Sequence, residues 1–324
     1  MCSISGFASS KPLSYETALR LCRALLFFGQ ERGKQSAGIH TNGKLLKRAI
    51  SPDEFGVLPE FAALLEGGAS YALLHTRAPT CGEKGNEQAQ PFVSASGIAT
   101  IHNGVIGNPE KVAETHSLLW PSGVDSELFS AYAEKNGIFK VPRFLRSIFG
   151  SAAVAVYHEN KVYLIRDGNP IESYRVDLTN GTRVMLFAST EGIIDRAAHY
   201  VWLMDYRIKS DTVPDKVLCR LDPQQGRVRE IGLCYQPNYK STDYGRFNWD
   251  TWRKENAKLP KSWADNNIGY VNGVCGRWVR KKGKQIFRPE PLPESKGQPL
   301  GALPPPPPPA AEKDSSNEEA QFYE

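Results

Sequence analysis

Cysteine stands at position 2, directly behind the initiator methionine. Its side chain is small enough for methionine aminopeptidase to remove Met1, leaving Cys2 with a free α-amino group. An α-amine titrates near about 8, so close to neutral pH a useful fraction can take the thiol proton without any histidine. Nucleophile and general base would then sit in one residue. A Met-Cys start is common by chance, and the chemistry needs further groups. Four segments follow in order: Arg32-Gly-Lys-Gln-Ser-Ala-Gly38, His75-Thr-Arg-Ala-Pro-Thr-Cys-Gly82, His102-Asn-Gly-Val-Ile-Gly-Asn108 and Val124-Asp-Ser-Glu-Leu128.

In this order the segments resemble class II glutamine amidotransferases. This is the N-terminal-nucleophile family that includes the glutaminase domains of glucosamine-6-phosphate synthase and amidophosphoribosyltransferase. The resemblance spans roughly residues 1–235, supported by Ile165-Arg-Asp-Gly168 and Phe187-Ala-Ser-Thr-Glu191. It implies an α+β fold, the four-layer αββα N-terminal-nucleophile hydrolase sandwich. It also implies hydrolysis of L-glutamine to glutamate and ammonia through the Cys2 thiolate, with neither cofactor nor metal.

Each motif has a physical reading. Thiolate attack on a carboxamide makes a tetrahedral oxyanion, which needs two donors aimed at one point. Asn103 can supply a side-chain N–H, and Gly104 a backbone N–H unobstructed by a Cβ; the family places its oxyanion hole at the matching Asn-Gly. Taken alone, an Asn-Gly pair ending an apolar strand would more often be a turn. Free glutamine presents an α-carboxylate and an α-ammonium. Arg77 offers a planar fork for the first and Asp125 a carboxylate for the second, the roles the resemblance assigns. Either residue in isolation would ordinarily be a surface ion-pair partner.

Thr80 and Cys81 match positions whose backbone lines the glutamine pocket in the family, so Cys81 is no second nucleophile. His75 and His102 are expected to be structural, because the α-amine already fills the role of base. Gly33, Ser36 and Gly38 are expected to shape a turn near the nucleophile. The chain departs from the family in having Ser3 for Gly, Gln35 for an acidic residue and Ala78 for a frequent aromatic, which bears on the pocket lid.

Elements must bring these residues together. Residues 3–8 read as an apolar strand and Tyr15–Phe28 as an amphipathic helix. Asn42-Gly43 lies between two strand-like runs as a hairpin signal. Further strands are expected at Tyr71–His75, Gly97–His102, Ala152–His158, Lys161–Arg166 and Arg183–Ala188, with a turn at Glu159-Asn160. Helices are expected after Asn108, Asp125 and Thr190. Strands outnumber helices and do not alternate with them one for one, which favours a layered α+β architecture.

The 324 residues, 40% of them hydrophobic, suffice for a sizeable core. No run approaches the roughly 18 apolar residues of a membrane span, and no secretory leader is evident, so a cytoplasmic setting is expected. The six cysteines lack a CxxC or a Cys/His cluster, which indicates neither a disulfide framework nor structural zinc. The glutaminase domain is expected to end near residue 235. Residues 236–288 then carry 12 Lys/Arg against 4 Asp/Glu and four of the six tryptophans, whereas residues 289–324 carry 2 against 7 and six consecutive prolines. The first segment is an aromatic and basic extension, suited to docking a partner; the second is expected to be disordered.

Nothing after residue 235 resembles a sugar isomerase, a phosphoribosyltransferase or an adenylating synthetase. The resemblance therefore implies an acceptor enzyme on another chain. Two alternatives stay open: a stand-alone amidase acting on a γ-glutamyl or other amide, and a binding or structural module retaining the fold. Arg77 with Asp125 favours glutamine over the first, and the intact set of Cys2, Asn103, Gly104, Arg77 and Asp125 counts against the second. Nucleic acid could contact the 236–288 segment through interleaved aromatic and basic residues, but no nucleic-acid motif is present and this reading is not favoured.

Overall fold

Asn42-Gly43 turns the chain as its chemistry allows. Ser36–Thr41 pairs with Lys44–Arg48 in antiparallel register, and the two turn residues have φ of +50° and +69°, the left-handed pair whose twist matches the flanking strands. Glu159-Asn160, at +48° and +60°, joins the next hairpin of this kind. The computed structural model describes residues 2–78, 85–202 and 206–231, together with three strands between 268 and 289.

The strands of the first part are β1 (Ser3–Leu13), β2 (Ser36–Thr41), β3 (Lys44–Arg48), β4 (Ala69–Arg77), β5 (Phe92–Val93), β6 (Ala99–Ile106), β7 (Gly150–His158), β8 (Lys161–Asp167), β9 (Glu172–Leu178), β10 (Arg183–Ala188), β11 (Tyr206–Thr212), β12 (Cys219–Asp222) and β13 (Arg227–Glu230). The helices are α1 (Tyr15–Gly29), α2 (Pro52–Gly56), α3 (Pro59–Ala63), α4 (Pro109–His116), α5 (Glu127–Asn136), α6 (Val141–Leu145) and α7 (Glu191–Trp202). One sheet has the order β11-β9-β10-β1-β4-β2-β3 and the other β13-β12-β8-β7-β6-β5.

Period-two alternation sorts the strand residues into three apolar layers. Phe7, Leu74, Ala37 and Ile39 face Leu21, Leu25 and Ala197 of α1 and α7. Ile4, Ala8, Leu73, Ile101, Ala153 and Phe187 meet between the two sheets. Val154, Val156 and Ile106 face Phe129, Ala133 and Phe144 of α5 and α6. Helices, sheet, sheet and helices stack as the four-layer α+β sandwich that the sequence implies. Among the described residues no helix is long and apolar enough to cross a membrane.

The expected strands are all present, several of them longer. Strands β9 and β11–β13 are not expected from the sequence. In β9, Glu172, Arg175 and Asp177 interrupt the apolar residues, although Tyr174 and Val176 are buried at strand spacing. Strands β12 and β13 are four-residue elements rich in charge, β13 at the edge of its sheet.

The chain divides into two compact units, Met1–Lys240 and Ser241–Glu324. In the second, β14 (Ile268–Val271), β15 (Val274–Lys281) and β16 (Lys284–Pro289) form an antiparallel three-stranded sheet. This is a further unexpected element, although Asn272-Gly273 between two strand-like runs carries the same hairpin signal as Asn42-Gly43. The proline run and the expected disordered tail lie outside the described residues, as do Trp249, Trp252 and Trp263.

Two constraints of the inter-sheet layer can be measured. A Cβ on Gly6 of β1 would stand 2.1 Å from the Ala72 carbonyl oxygen and 2.7 Å from the Phe187 ring. Gly6→Ala is expected to lower unfolding free energy by about 1–3 kcal/mol through overpacking. Gly192→Ala, in the open first turn of α7 with nothing within 4 Å, should instead gain up to about 1 kcal/mol. Chemical denaturation of both variants reads the contrast, and a Gly6 variant as stable as wild type would refute the close packing.

The same layer holds His75, whose pKa burial lowers to about 3, with the Arg77 charge adding to the fall. A folded value below the unfolded one means that the unfolded chain takes up the proton first. The stability is therefore full above about 6.5 and drains as pH falls from there towards 3, by about 1.4 kcal/mol per pH unit. Urea unfolding of wild type and His75→Gln between pH 7 and 5 should show the steeper loss in wild type; parallel slopes would mean that His75 is not held neutral.

Candidate functional site

The antiparallel register of β1 and β4 sets Ser3 against Thr76 and Ile4 against His75. One residue further, Cys2 comes opposite Arg77. Alternation carries Cys2 onto the inter-sheet face of Ile4 and Ala8, and Arg77 onto that of Leu73. Cys2 is half-buried, and its Sγ lies 3.5 Å from the Ala78 carbonyl. Burial pushes the thiol above its ordinary value. The Ala78 backbone and the Arg77 guanidinium oppose the rise, and the Asp125 carboxylate adds to it. Such a thiol does not ionise of its own accord at neutral pH; it needs a base.

Arg32 fixes the main chain at this point, its Nε donating to the Cys2 carbonyl at 2.9 Å. Arg32 opens the Arg32–Gly38 motif, where its residue type alone assigns it no role. Gly33 follows in the turn after α1, where a Cβ would come 2.4 Å from the Arg77 carbonyl carbon. Gln35 N–H then donates to the Arg77 carbonyl at 3.0 Å. Ser36 and Gly38 are not in this turn. Contrary to expectation both belong to β2, because pairing with β4 begins at Ser36 opposite Arg77.

Asn103 and Gly104 also lie inside a strand, not at a turn. Strand β5 pairs with β6 only as far as Thr100, so beyond it one edge of β6 is open. His102 turns both its backbone groups to that edge: its N–H donates to Gln90 Oε1 at 2.7 Å, and its carbonyl accepts from Gln90 Nε2 at 3.1 Å. Four residues on, the Ile106 N–H donates to Asp125 Oδ2 at 2.8 Å. Backbone groups two apart point the same way, so the Gly104 N–H leaves this edge between the two anchors. A Cβ on Gly104 would fall 2.0 Å from the Ser151 carbonyl of β7. Close strand approach therefore demands glycine here, in addition to any need for an unobstructed donor.

Alternation turns Asn103 to the inter-sheet layer with Ile101 and His102 to the opposite face. There the His102 ring is 4.8 Å from that of Phe129, and Nδ1 is 2.9 Å from Ser126 Oγ. Burial lowers the His102 pKa, opposed by the Asp125 carboxylate. Ser126 Oγ also accepts from Gln90 Nε2 at 3.1 Å and lies 3.4 Å from Asp125 Oδ1. A single buried network therefore joins Gln90, His102, Ser126 and Asp125. Gln90 and Ser126 are absent from the sequence-based set; Ser126 stands in the Val124–Leu128 motif without a role of its own, and nothing in the local pattern marks Gln90.

The strand register and this network bring Cys2, Arg77, Asn103, Gly104 and Asp125 to one end of the sandwich, with Arg77, Asn103 and Asp125 buried. Thr80 and Cys81 lie outside the described residues. The arrangement offers a thiol, a cationic fork, a carboxylate and side-chain and backbone amide donors.

Residues 75–196 match the glutamine amidotransferase domain model. A probable glutamine-fructose-6-phosphate aminotransferase (isomerizing) of Acanthamoeba polyphaga mimivirus is 31% identical over 157 residues, 44% of this chain and 26% of the relative. The glutamine-fructose-6-phosphate aminotransferase of Chlorobaculum tepidum is 26% identical over 252 residues, 71% of this chain and 39% of the relative. Among solved structures, the glutamine phosphoribosylpyrophosphate amidotransferase of B. subtilis in complex with ADP and GMP has a TM-score of 0.53 at 19% identity, covering 73% of this chain and 50% of that one. The chain thus spans between about a quarter and a half of the length of these proteins. The matched model marks a glutamine amidotransferase domain over residues 75–196, and the chain is a homologue of class II glutamine amidotransferases in sequence and shares the fold of their glutaminase domains.

Proposed function

We propose that this domain hydrolyses L-glutamine to L-glutamate and ammonia, and that the ammonia passes to an acceptor enzyme on another chain. The observation that carries the reading is the convergence of Cys2, Arg77, the open β6 edge at Asn103-Gly104, and Asp125 at one end of the sandwich. Removal of Met1 gives Cys2 its own α-amine. Arg77 pairs with the substrate α-carboxylate and Asp125 with its α-ammonium, which leaves the side-chain amide beside Sγ. The α-amine takes the thiol proton, and the thiolate adds to the amide carbon. The oxyanion is held by the Asn103 side-chain N–H and the Gly104 backbone N–H. Collapse expels ammonia with the proton returned by the α-ammonium, and water then cleaves the thioester to glutamate. The backbone of Thr80 and Cys81 lines the pocket in this reading. Residues 1–235 form the glutaminase domain and residues 236–288 dock the acceptor in this reading. A reducing cytoplasmic setting suits a free thiol nucleophile.

Mass spectrometry of active protein is expected to show Met1 absent and Cys2 first, and Cys2→Ala to release no glutamate from glutamine. Full activity with Met1 retained would refute the mechanism.

Asn103→Ala is expected to lower kcat by about 10² to 10³ with little change in KM, because its donor matters most once the oxyanion forms. Arg77→Lys should chiefly raise KM, since a point charge replaces a bidentate fork. Steady-state glutamate release separates the two, and equal effects on both constants would undo this division of roles.

A further inference from the structure

The open edge of β6 presents the Gly104 N–H, and the other end of that same peptide group is also held. Asn169 Nδ2 lies 2.9 Å from the Asn103 carbonyl oxygen. A carbonyl can only accept, so the amide nitrogen of Asn169 is the donor. The Asn103 carbonyl and the Gly104 N–H belong to one planar trans unit and point in opposite directions. That carbonyl faces β7, where Asn103 is paired with Ala153, and the Asn169 amide adds a side-chain donor to it; holding the carbonyl holds the line along which the N–H leaves the strand. Withdrawing density from the carbonyl oxygen also makes the N–H a stronger donor, since hydrogen bonds in series across an amide polarise one another.

Asn169 is itself carried on a braced loop. Gly168, at φ +77°, forms a bridge to Ala152 of β7, and its N–H donates to Asp215 Oδ1 at 3.3 Å. Lys216 N–H donates to the Arg166 carbonyl at 2.7 Å, and Lys216 Nζ lies 3.8 Å from Asp167. Arg166 Nε donates to the Val213 carbonyl at 2.7 Å. The turn after β8 is thus tied to the 213–216 segment on one side and to β7 on the other, and Asn169 is half-buried where it reaches Asn103.

We infer that Asn169 is a positioning residue for the oxyanion donor, acting through the Asn103-Gly104 peptide without touching substrate. The inference rests on the glutaminase reading above. It assigns to the loop after β8 a part in setting the rate that is separate from glutamine binding by Arg77 and Asp125.

The test uses the full chain with Met1 removed. Asn169→Ala, and the near-isosteric Asn169→Asp, which turns an acceptor towards the carbonyl, should each lower kcat roughly tenfold while leaving KM for glutamine within about twofold. The discriminating probe is L-glutamate γ-semialdehyde, whose hemithioacetal with Cys2 places an oxygen at the oxyanion position. Its affinity should fall roughly tenfold in both variants while that of L-glutamate, which forms no such adduct, stays within about twofold. Melting temperatures taken alongside identify a variant that has merely lost its fold, in which case the other variant decides. Unchanged kcat, or parallel loss of affinity for the aldehyde and for glutamate, overturns the inference and leaves the glutaminase reading standing. A wild-type chain that neither hydrolyses glutamine nor binds the aldehyde overturns both.

Discussion

Antiparallel pairing of β1 with β4 on one side and β10 on the other fixes where the amino end of this chain can lie, and the site is arranged around that point. The first residues of a domain usually fray, because nothing holds them on both sides. Here the third residue already belongs to a central strand. The Ile4 N–H donates to Ser189 Oγ at 3.0 Å and its carbonyl accepts from the Ser189 N–H at 2.9 Å, while Arg32 holds the carbonyl of Cys2. Residue 2 therefore inherits its position from the sheet instead of from a loop. Gly6 is part of the same constraint, because β1 passes so close to Ala72 and Phe187 that no side chain fits.

The second sheet contributes by stopping short. Strand β5 is only two residues long, so the edge of β6 beyond Thr100 presents backbone groups with no neighbouring strand among the described residues. Unsatisfied buried amides cost too much to leave alone. Side chains replace the missing strand: the Gln90 amide answers both groups of His102, and the Asp125 carboxylate answers Ile106. A full-length neighbour would have consumed the Gly104 N–H as well. Ending the neighbour early and bridging the edge with side chains leaves that one donor on the edge between the two bridges.

The sheets were legible in the sequence wherever apolar residues run on without interruption, as in β4, β7, β8 and β10, which are buried at successive positions, and wherever a turn dipeptide demands left-handed residues. They were obscured where charged residues alternate with apolar ones. Strand β9 hides Tyr174 and Val176 between Glu172, Arg175 and Asp177, and the β14–β15 hairpin lies in a segment whose basic composition draws attention away from Asn272-Gly273. Within the candidate site, Cys2, Arg77, Asn103, Gly104 and Asp125 could be singled out because each stands in a motif with a chemical reading. Arg32, Gln90, Ser126 and Asn169 act on backbone or on other side chains. Their types are ordinary and their partners distant in sequence, so only the folded register assigns them a task. Ser36 and Gly38 failed for a related reason, since a motif tells which residues keep company but not where a turn ends and a strand begins.

The charges around Cys2 explain why the base must be so near. Arg77 favours the thiolate and Asp125 disfavours it, while burial, the largest influence, also disfavours it. On the glutaminase reading, an incoming amino acid covers Arg77 with its carboxylate and Asp125 with its ammonium, so the two opposed influences are removed together. What remains is desolvation, which deepens as the ligand displaces water and makes the free thiol harder to ionise. Among the described residues the hydrogen-bond partner of the thiol is the Ala78 carbonyl and no histidine. His102 faces away towards Ser126 and Phe129, and burial holds both it and His75 below their ordinary values. On that reading the group that remains is the amine that removal of Met1 would give Cys2, which needs no side chain to deliver it. A strand that begins at the third residue would hold that amine at the site.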